Sequence, residues 1–443
     1  MAEWCPKRPD RVRRNYLVEE QRTTRTSTHE EHRHHTHHHH RKKSKFQKFW
    51  KKHKKTIRNV ALLLLALTLV VTVAAFADFF SKGDKAEPQH TESLQQIAIR
   101  TELTYFDEDI LLIKDAALQF MQREPGEDAM DALKRINTTM ERQDVGLPVR
   151  LTLDVSGLPS TVTVTFATLE VSEHQNLSDP LVYTLEHGQS AVDVFHLKTN
   201  TQYYYRFSYT LSDGTQATAG SSFRTVDSPR LLYIEGIANV RDIGGWKTED
   251  GRMIRQGLLY RGTELDGAVE EKYRLTDSGR HDMLAVLGIR TDMDLRARTD
   301  NVMGSDALGS GVRHIYYGEY GAPCYLDVFD PSYGKLIAQI FTDLSDQRNY
   351  PVYLHCTYGM DRTGTICYLL EALLGLSEAD LQAEYELSVL YNGYVGTEYL
   401  MPFVQEMQKL PGDTMQQKAE GFLLSIGVTQ EQITEIRRIF LEG

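Results

Sequence analysis

Cys356 and Arg362 are the two residues of this chain whose types and spacing point most directly to chemistry. They lie in the stretch HCTYGMDRTGT (355–365), between an apolar run at 351–354 that predicts a buried strand and a run at 366–374 that predicts a helix. A loop of this length can turn its backbone N–H groups inward, and together with the helix N-terminus it forms a site for a dianionic phosphate. The same field stabilises a thiolate, which is the nucleophilic form of cysteine. The sequence therefore predicts attack of Cys356 on a phosphate ester.

The other residues of the loop have parts in the same reaction. The guanidinium of Arg362 can hold two phosphate oxygens in a bidentate fork and stay with them in the transition state. The hydroxyl of Thr363 can donate a hydrogen bond to the sulfur as it leaves in the second step. We expect His355 to order the loop through backbone contacts, without acting as a base. The predicted phosphate-binding loop comprises His355, Thr357, Tyr358, Gly359, Met360 and Gly364.

A second interpretation treats Cys356 as a structural cysteine in an ordinary strand-to-helix turn. An apolar residue would serve that purpose equally well, and the arginine six residues later would then have no part to play. Cys-x5-Arg alone is a weak signal, because arginine is a common residue. The preceding histidine, the following Thr-Gly pair and the change from strand to helix make the pattern specific, so we favour the catalytic interpretation.

Such a loop needs a strand before it and a helix after it, and the surrounding sequence alternates between the two. A strand is predicted at 289–295, helices are predicted at 276–288 and 331–344, and the chain after residue 377 has nearly continuous helical character. Strands interleaved with helices indicate an α/β domain with a central sheet flanked by helices. We assign residues 228–443 to this domain.

Residues 1–58 predict a disordered, basic, His-rich cytoplasmic tail. They contain 18 Lys and Arg against 6 Asp and Glu, a net charge of +12, which leaves −23 for the rest of a chain whose net charge is −11. Half of the 16 histidines lie at 29–40. We interpret them as low-complexity sequence, with a metal-binding tract as the alternative. A basic tail on an acidic body suggests a membrane or polyanion beside the tail, and it argues against nucleic acid as a partner of the body.

Residues 59–80 predict one transmembrane helix. Eighteen uncharged residues at 60–77 approach the roughly 20 that span a bilayer. A cleaved signal peptide is the alternative, but the apolar run is longer than the signal core of about 7–15 residues. Ten Lys and Arg lie at 41–58 and two at 78–95, so the positive-inside bias places the N-terminus in the cytoplasm. The sequence predicts a single-pass protein of the cell membrane with its catalytic domain outside.

Two segments separate the predicted span from the α/β domain. Residues 81–146 predict a helical stalk or linker, and residues 147–227 predict an all-β sandwich with short alternating strands. The stretch LKTNTQYYYRFSYTLSDGT resembles the penultimate strand region of a fibronectin type III domain, in which Leu197, Thr201 and Tyr203 would match the tyrosine corner. The tryptophan that this family carries on an early strand is absent. The resemblance implies a binding domain, with a protein or the cell wall as its partner.

The loop at 355–365 resembles the active-site loop of the cysteine-dependent protein tyrosine phosphatases. It is most similar to a bacterial tyrosine and dual-specificity branch with the pattern HCxxGKDRTG. Four upstream stretches resemble segments of the same branch in the same order: NVRDIGGW, GLLYRGTEL, LTDSG and LGIRTDMDLRA, which begin at residues 239, 257, 275 and 287. The resemblance covers about residues 230–443. It implies a phosphatase that needs no cofactor and no metal, with a phosphorylated protein or a small phosphomonoester as its substrate.

The resemblance also implies roles for residues outside the loop. Asp361 would be the general acid that protonates the leaving oxygen. Larger relatives use an aspartate on a separate mobile loop instead, and Asp327 and Asp330 are the alternatives of that kind here. Residues expected to support the pocket are Asn239, Arg241, Asp242, Arg261, Asp294 and Arg296. Of these, Arg241 and Asp242 are expected to brace the loop.

Met360 departs from the pattern of the branch, which has lysine at this position. That lysine is associated in the family with phosphoinositide recognition, so its absence favours phosphotyrosine-type substrates over lipids. A phosphoinositide phosphatase remains one alternative. The other is a catalytically weak surface module that holds phosphorylated ligands in the same pocket.

Overall fold

The structure is a computed structural model, and it describes residues 105–106, 109–124, 126–136, 145–155, 158, 161–298, 307–318, 320–393 and 396–442. The predicted tail at 1–58 and the predicted membrane span at 59–80 lie outside the described residues. Within the described ranges, no helix is both long enough and apolar enough to cross a membrane.

The described chain up to residue 226 is built mainly of strands. They are β1 (Tyr105–Phe106), β2 (Asp109–Ile110), β3 (Val149–Thr152), β4 (Val164–Ser172), β5 (Leu181–Leu185), β6 (Ala191–Val194), β7 (Gln202–Leu211) and β8 (Gln216–Arg224). Two short helices, α1 (Asp115–Met121) and α2 (Ala129–Ile136), lie between β2 and β3. β3 pairs with β6, and the order β5-β4-β7-β8 forms a second antiparallel sheet.

The longest strand, β7, shows why this part folds as it does. Its buried side chains are Tyr203, Tyr205, Phe207, Tyr209 and Leu211. They occupy every second position, because successive side chains of a strand point to opposite faces. They share one hydrophobic core with residues of β3 and β6, so both sheets bury a common set of side chains. The hydroxyl of Tyr203 also accepts a hydrogen bond from the backbone N–H of Lys198 at 2.8 Å.

Residues 110–113 differ from the helical stalk predicted for 81–146. Ile110 and Leu112 belong to the core of the strand-rich part, whereas Leu111 and Ile113 belong to the core of the C-terminal part. Extended backbone points alternate side chains to opposite sides, so four consecutive apolar residues enter two cores. These residues are thus packed into the molecule in extended form, and helices follow them at α1 and α2 within the range predicted as a helical stalk or linker.

A five-stranded sheet organises the chain after residue 230. Its strands are β9 (Arg241–Asp242), β10 (Leu259–Gly262), β11 (Thr291–Asp294), β12 (Arg313–Tyr316) and β13 (Val352–His355). The order is β12-β11-β13-β10-β9, with β9 as an antiparallel edge strand and the other four parallel. Parallel strands are usually covered on both faces, and the central β13 is buried at all four positions.

Helices lie between and after these strands along the chain. They are α3 (Asp277–His281), α4 (Gly334–Leu344), α5 (Asp361–Leu374), α6 (Glu378–Glu386), α7 (Val389–Asn392), α8 (Thr397–Gln408), α9 (Met415–Ser425) and α10 (Gln430–Phe440). A π-helical turn, Asp282–Val286, extends α3, and 3-10 turns lie at Tyr325–Phe329, Pro331–Tyr333 and Gln347–Asn349. Side-chain oxygens of Thr276, Ser377, Thr414 and Thr429 cap α3, α6, α9 and α10. The α/β prediction for this part is confirmed.

The carboxyl ends of the parallel strands meet at one edge of the sheet. His355, the last residue of β13, is in register with Gly262 of β10 and Asp294 of β11. In open α/β sheets, ligands bind just outside the carboxyl ends of the strands. Cys356 is the first residue beyond β13, so the sheet itself brings the predicted nucleophile to this edge.

Arg230 joins the strand-rich part to the C-terminal part. Its guanidinium donates to the carbonyl oxygens of His196 and Leu197 at 2.6 and 3.1 Å, and its Nη1 lies 2.7 Å from Oδ2 of Asp242. Gln256 adds a second link, since its amide both accepts from and donates to the backbone of Thr199. The buried pair of Arg230 and Asp242 thus fixes the junction between the two parts.

We expect Arg230→Ala to lower the free energy of unfolding by about 3–5 kcal/mol, because it leaves the Asp242 carboxylate buried without its partner. Denaturant titration of the purified protein measures the change. Arg150→Ala is the matched control. It breaks the exposed pair with Asp193 and should cost less than about 1 kcal/mol. Equal effects of the two substitutions would contradict the assigned importance of the junction.

Candidate active site

The loop from Cys356 to Arg362 connects β13 to α5 and is packed closely against the sheet. Gly359 adopts φ of +65°, and a Cβ atom there would lie 2.3 Å from the carbonyl oxygen of Gly262 in β10. Glycine is required here for both reasons, because other residues rarely adopt this φ and none would fit. At Gly364, in the first turn of α5, a Cβ atom would similarly lie 2.8 Å from the ring of Tyr385. The loop is therefore held against both the sheet and a neighbouring helix.

The nucleophile and its neighbours are largely enclosed. Cys356 is 4% exposed and has a free thiol, and Arg362 is 6% exposed. The hydroxyl of Thr363 is fully buried and has no hydrogen-bond partner in the part of the chain that the structure describes. Thr357 is also buried. A hydroxyl without a partner beside the start of α5 is available to a group that arrives during the reaction.

His355 supports the loop from the side of the sheet. Its Nδ1 lies 3.1 Å from the carbonyl oxygen of Cys356, and its Nε2 lies 3.0 Å from Oδ1 of Asp292. Burial disfavours the charged ring, but the carboxylates of Asp294 and Asp292 outweigh it and raise the pKa of His355 to about 9. The protonated imidazole can donate from Nδ1 to the carbonyl oxygen of Cys356, and its positive charge pairs with the carboxylate of Asp292.

A buried network at the end of β11 holds the Asp294 carboxylate. Arg296 bonds to Asp294, to Glu264 at 2.7 Å and to Asp266 at 2.7 Å. Burial alone would raise the pKa of Asp294, but His355 and the other cations around the carboxyl group hold that pKa well below its usual range. Asp294 and Arg296 therefore lie at the end of β11, the strand that pairs with β13.

A second buried network holds the loop from the side of β9 and β10. The side-chain amide of Asn239 donates to the carbonyl oxygens of Tyr358 and Gly359, at 3.0 and 3.2 Å. Arg261 also donates to the carbonyl oxygen of Gly359, at 2.8 Å. Arg241 reaches the loop indirectly, because its Nη1 donates to Oδ1 of Asn239 at 2.5 Å. Three predicted residues thus act on two adjacent loop carbonyls.

Glu384 of α6 completes this second network. Its two carboxylate oxygens lie 2.6 Å from Nε of Arg241 and 2.6 Å from Nη1 of Arg261. The sequence reasoning missed this residue. The available signal was an acidic residue three positions after Leu381 and beside Tyr385, on the buried side of an otherwise polar helix.

Asp242 has a different place from the expected brace. Its carboxylate accepts from Arg230 and from the backbone N–H groups of Gly244 and Gly257, at 2.8 and 2.6 Å for the two amides. Successive residues of β9 point in opposite directions, so Arg241 faces the loop and Asp242 faces the junction. The expectation that Asp242 braces the loop was wrong for this reason.

Asp361 is the acidic residue closest in sequence to the nucleophile, and it is held by a tyrosine. The hydroxyl of Tyr325 donates to Oδ1 of Asp361 and is itself 2.5 Å from the hydroxyl of Tyr385. Burial raises the pKa of Asp361, against the opposing effects of Tyr325 and Arg362. The protonated form that a general acid needs is therefore favoured relative to an exposed aspartate.

Of the two alternative acids, Asp327 lies in the 3-10 turn that begins at Tyr325, and Asp330 precedes the next turn. Asp327 is exposed, and Asp330 caps the next turn by accepting from the backbone N–H of Ser332 at 2.8 Å. The stretch that contains these two aspartates does contact Asp361, and the residue that makes this hydrogen bond is Tyr325.

The loop side chains of Met360 and Tyr358 differ in burial. Met360 is 1% exposed, and its sulfur lies 3.9 Å from Nδ2 of Asn392. Tyr358 is half-buried, and its hydroxyl donates to Glu270. The Nζ atom of Lys272 lies 5.9 Å from the centre of the Tyr358 ring. Met360 therefore belongs to the core, whereas Tyr358 belongs to the rim.

We expect the raised pKa of His355 to make stability depend on pH. The native state binds this proton more tightly than the unfolded state, so the contribution is fully present below about pH 6.5 and is lost as the pH rises through about 9. The total is about 3 kcal/mol at 1.36 kcal/mol per unit of pKa. Denaturant unfolding between pH 6 and 10 should show the decline. His355→Gln should flatten it, whereas the exposed His187→Gln should leave it unchanged; a decline that persists in His355→Gln would contradict the assignment.

Comparison with known proteins agrees with this geometry. Residues 232–442, slightly less than half of the chain, match the tyrosine phosphatase family. A tyrosine-protein phosphatase of Nostoc commune is 28% identical over 206 residues, which cover 37% of this chain and 70% of that protein. A tyrosine-protein phosphatase relative from Cupriavidus necator is 26% identical over 191 residues, which cover 38% of this chain and 66% of that protein.

Solved structures are also similar to this chain, and one example is a yeast phosphatase domain. The core catalytic domain of a PP-IP phosphatase from S. cerevisiae, in complex with citrate, aligns at 14% identity with 43% of this chain and 88% of that chain. Its TM-score of 0.24 carries no argument about this protein. The family match and the two relatives support the tyrosine phosphatase family, and with it a cysteine phosphatase, for residues 232–442.

Proposed function

We propose that the chain hydrolyses phosphotyrosine-type phosphomonoesters through a phosphocysteine intermediate. The observation that carries the proposal is the loop itself. Cys356 and Arg362 stand at its two ends, at the carboxyl edge of a parallel sheet, and the loop carbonyls of Tyr358 and Gly359 are fixed from behind by buried side chains. Donors bonded to the carbonyls turn the opposite, N–H side of the peptide groups toward the phosphate.

In the first step, the Cys356 thiolate attacks phosphorus and the bond from phosphorus to the leaving oxygen breaks. Asp361 gives its proton to that oxygen, so the product leaves as a neutral alcohol or phenol. Arg362 holds two of the phosphoryl oxygens throughout. Because these groups are positioned before the substrate arrives, little reorganisation is needed as charge develops.

In the second step, water attacks phosphorus and the S–P bond breaks. The Asp361 carboxylate takes a proton from the water, and inorganic phosphate is released. The sulfur leaves as a thiolate, which the Thr363 hydroxyl stabilises by donating a hydrogen bond. The buried hydroxyl of Thr363 has no partner in the described structure, so it can turn to the sulfur without breaking an existing bond.

The rim of the site supports an aryl substrate. The half-buried ring of Tyr358 offers an aromatic surface for a phenolic ring. The buried ring of Tyr273 meets it edge to face, with centroids 6.1 Å apart, and supports it from behind. Met360 contributes no charge to the loop, and its side chain is directed into the core. A head group with several phosphates would therefore find one fewer cation than the lysine-containing branch supplies.

The test is turnover of a phosphotyrosine peptide compared with a soluble phosphoinositide. We expect a higher kcat/KM for the peptide. Cys356→Ser should lower turnover by on the order of 10⁴-fold or more, because it removes the nucleophile. Cys367→Ser is the matched control, since Cys367 is also a free, buried thiol and lies deeper in α5.

Three results would contradict the proposal. Preference for the phosphoinositide would favour the lipid phosphatase. Phosphate binding without turnover by the wild type would favour the binding module. Substantial turnover by Cys356→Ser would exclude the phosphocysteine intermediate.

We also propose that residues 59–80 hold the catalytic domain at the outer side of the cell membrane, with a fibronectin type III-like domain at 147–227 between them. Support for the span comes from its uncharged run and the distribution of Lys and Arg around it. Support for the β domain comes from its two antiparallel sheets and the bond from Lys198 to the Tyr203 hydroxyl. A dual specificity is consistent with the branch that the loop resembles. A protein or the cell wall would be the partner of the β domain.

Protease added to intact cells should digest the chain after residue 81 and leave residues 1–58 protected. The positive-inside bias is the reason for this expectation. An epitope at each terminus reports the two sides in one experiment, and lysed cells provide the control in which both are digested. Protection of the C-terminal epitope in intact cells would reverse the proposed topology.

A further inference from the structure

Tyr325 is bound to the loop helix at two points. Its backbone N–H donates to Oγ1 of Thr365 at 3.0 Å, and its hydroxyl donates to Oδ1 of Asp361. Oγ1 of Thr365 in turn donates to the carbonyl oxygen of Asp361 at 2.8 Å. Tyr325 adopts φ of +51°, a left-handed conformation that is uncommon for a tyrosine. A strained backbone bonded at both ends to one turn of helix holds the hydroxyl at a defined place.

The hydroxyl of Tyr325 is enclosed by a second tyrosine and by backbone. Tyr385 places its hydroxyl 2.5 Å away, and both tyrosines are buried. A Cβ atom at Gly396 would lie 2.9 Å from the Tyr325 hydroxyl and 3.0 Å from that of Tyr385. The chain at Gly396 therefore approaches the pair more closely than any other residue type would allow. This leaves no space between that backbone and the hydroxyl pair.

The direction of the hydrogen bonds follows from the number of protons. Each tyrosine has one O–H to donate. The O–H of Tyr325 is used on Oδ1 of Asp361, so Tyr385 donates to Tyr325. Burial raises the pKa of both tyrosines well above 10, so both stay protonated where the enzyme works. Oδ1 accepts a hydrogen bond, and the acidic proton of Asp361 is therefore on Oδ2.

We propose that Tyr325, oriented by Tyr385, is the positioning residue of the general acid. This inference rests on the proposed function, in which Asp361 protonates the leaving oxygen. Tyr325 keeps the proton on Oδ2, and it sets the pH at which that proton is released. A hydrogen bond to the ionised carboxylate favours ionisation. Tyr325 and the guanidinium of Arg362 therefore lower the pKa of Asp361, against burial and the negative charge of Glu398 in α8, which raise it. The acid can then give up its proton in the first step and take one in the second.

The pH dependence of kcat tests this role with Tyr325→Phe, which keeps the ring and removes the hydroxyl. Loss of the donor disfavours the carboxylate, so the limb where activity falls at high pH should move to higher pH by about one unit. At the optimum, we expect a several-fold loss of kcat for a phosphotyrosine peptide. An activated aryl phosphate, whose leaving group needs little protonation, should lose less.

Tyr317→Phe is the matched control. Tyr317 is a buried tyrosine whose hydroxyl donates to an aspartate, Asp343, at 3.2 Å. It follows β12, an edge strand of the sheet, and it is not bonded to Asp361. It should lower stability in the same way as Tyr325→Phe and leave the pH limb in place. Tyr385→Phe should shift the limb in the same direction by less, because it removes only the donor to Tyr325.

Asp361→Asn separates failure of this inference from failure of the proposed function. Loss of the limb in Asp361→Asn, with no shift in Tyr325→Phe, would overturn the role of Tyr325 and leave the general acid in place. A limb that persists in Asp361→Asn would overturn Asp361 as the acid. Where Tyr325→Phe yields too little folded protein, Gly396→Ala displaces both hydroxyls without removing them. It should move the limb upward as well, and an unmoved limb there would count against the proposal.

Discussion

The active-site loop depends on one buried carboxylate, that of Glu384. It lies between two guanidinium groups, Arg241 and Arg261, and each of these groups leads to the loop. Arg261 binds the carbonyl oxygen of Gly359 directly, and Arg241 binds it through Asn239. Two arginines enclosed in a core are tolerated only with a paired anion, because an unpaired buried charge is very unfavourable. The carboxylate that makes the arginines stable inside the protein also fixes the direction of the loop carbonyls.

A second buried carboxyl group explains the charge of this region. Glu371 of α5 has neither oxygen hydrogen-bonded within the described structure, and burial, reinforced by the negative charge of Glu384, raises its pKa well above the usual range. The pKa of Glu384 is lowered, because Arg241 and Arg261 outweigh the effect of its burial. A neutral Glu371 and an ionised Glu384 leave one net positive charge among the four groups. That charge lies behind a loop shaped to receive an anion, where the low local dielectric strengthens its field.

The local pattern of the sequence was sufficient to predict the strand before the loop, the turn of the chain at the loop, and the helix after it. The supporting residues were identified where a resembling stretch carried them, as for Asn239 and Arg261. Glu384 and Tyr325 were missed, although Tyr325 lies in the stretch that suggested Asp327 and Asp330 as acids. Their contacts span 143 residues from Arg241 and 36 residues from Asp361, respectively. Pairing over such distances is set by tertiary packing, which neither periodicity nor spacing in one sequence reveals.

The protonation states of His355 and Asp361, which lie on either side of the nucleophile in the chain, are set by opposite means. His355, before the nucleophile, lies beside Asp292 and Asp294, which raise its pKa to about 9, so its charge is constant near neutral pH. Asp361, after the nucleophile, is held by a neutral hydroxyl, which orients the carboxyl group without supplying a full countercharge. A full cation at the same distance would favour ionisation much more strongly and leave the group a poor acid. Fixed charge on the side of the sheet and neutral hydrogen bonds on the side of the helix thus allow one loop to hold an anion and still transfer a proton.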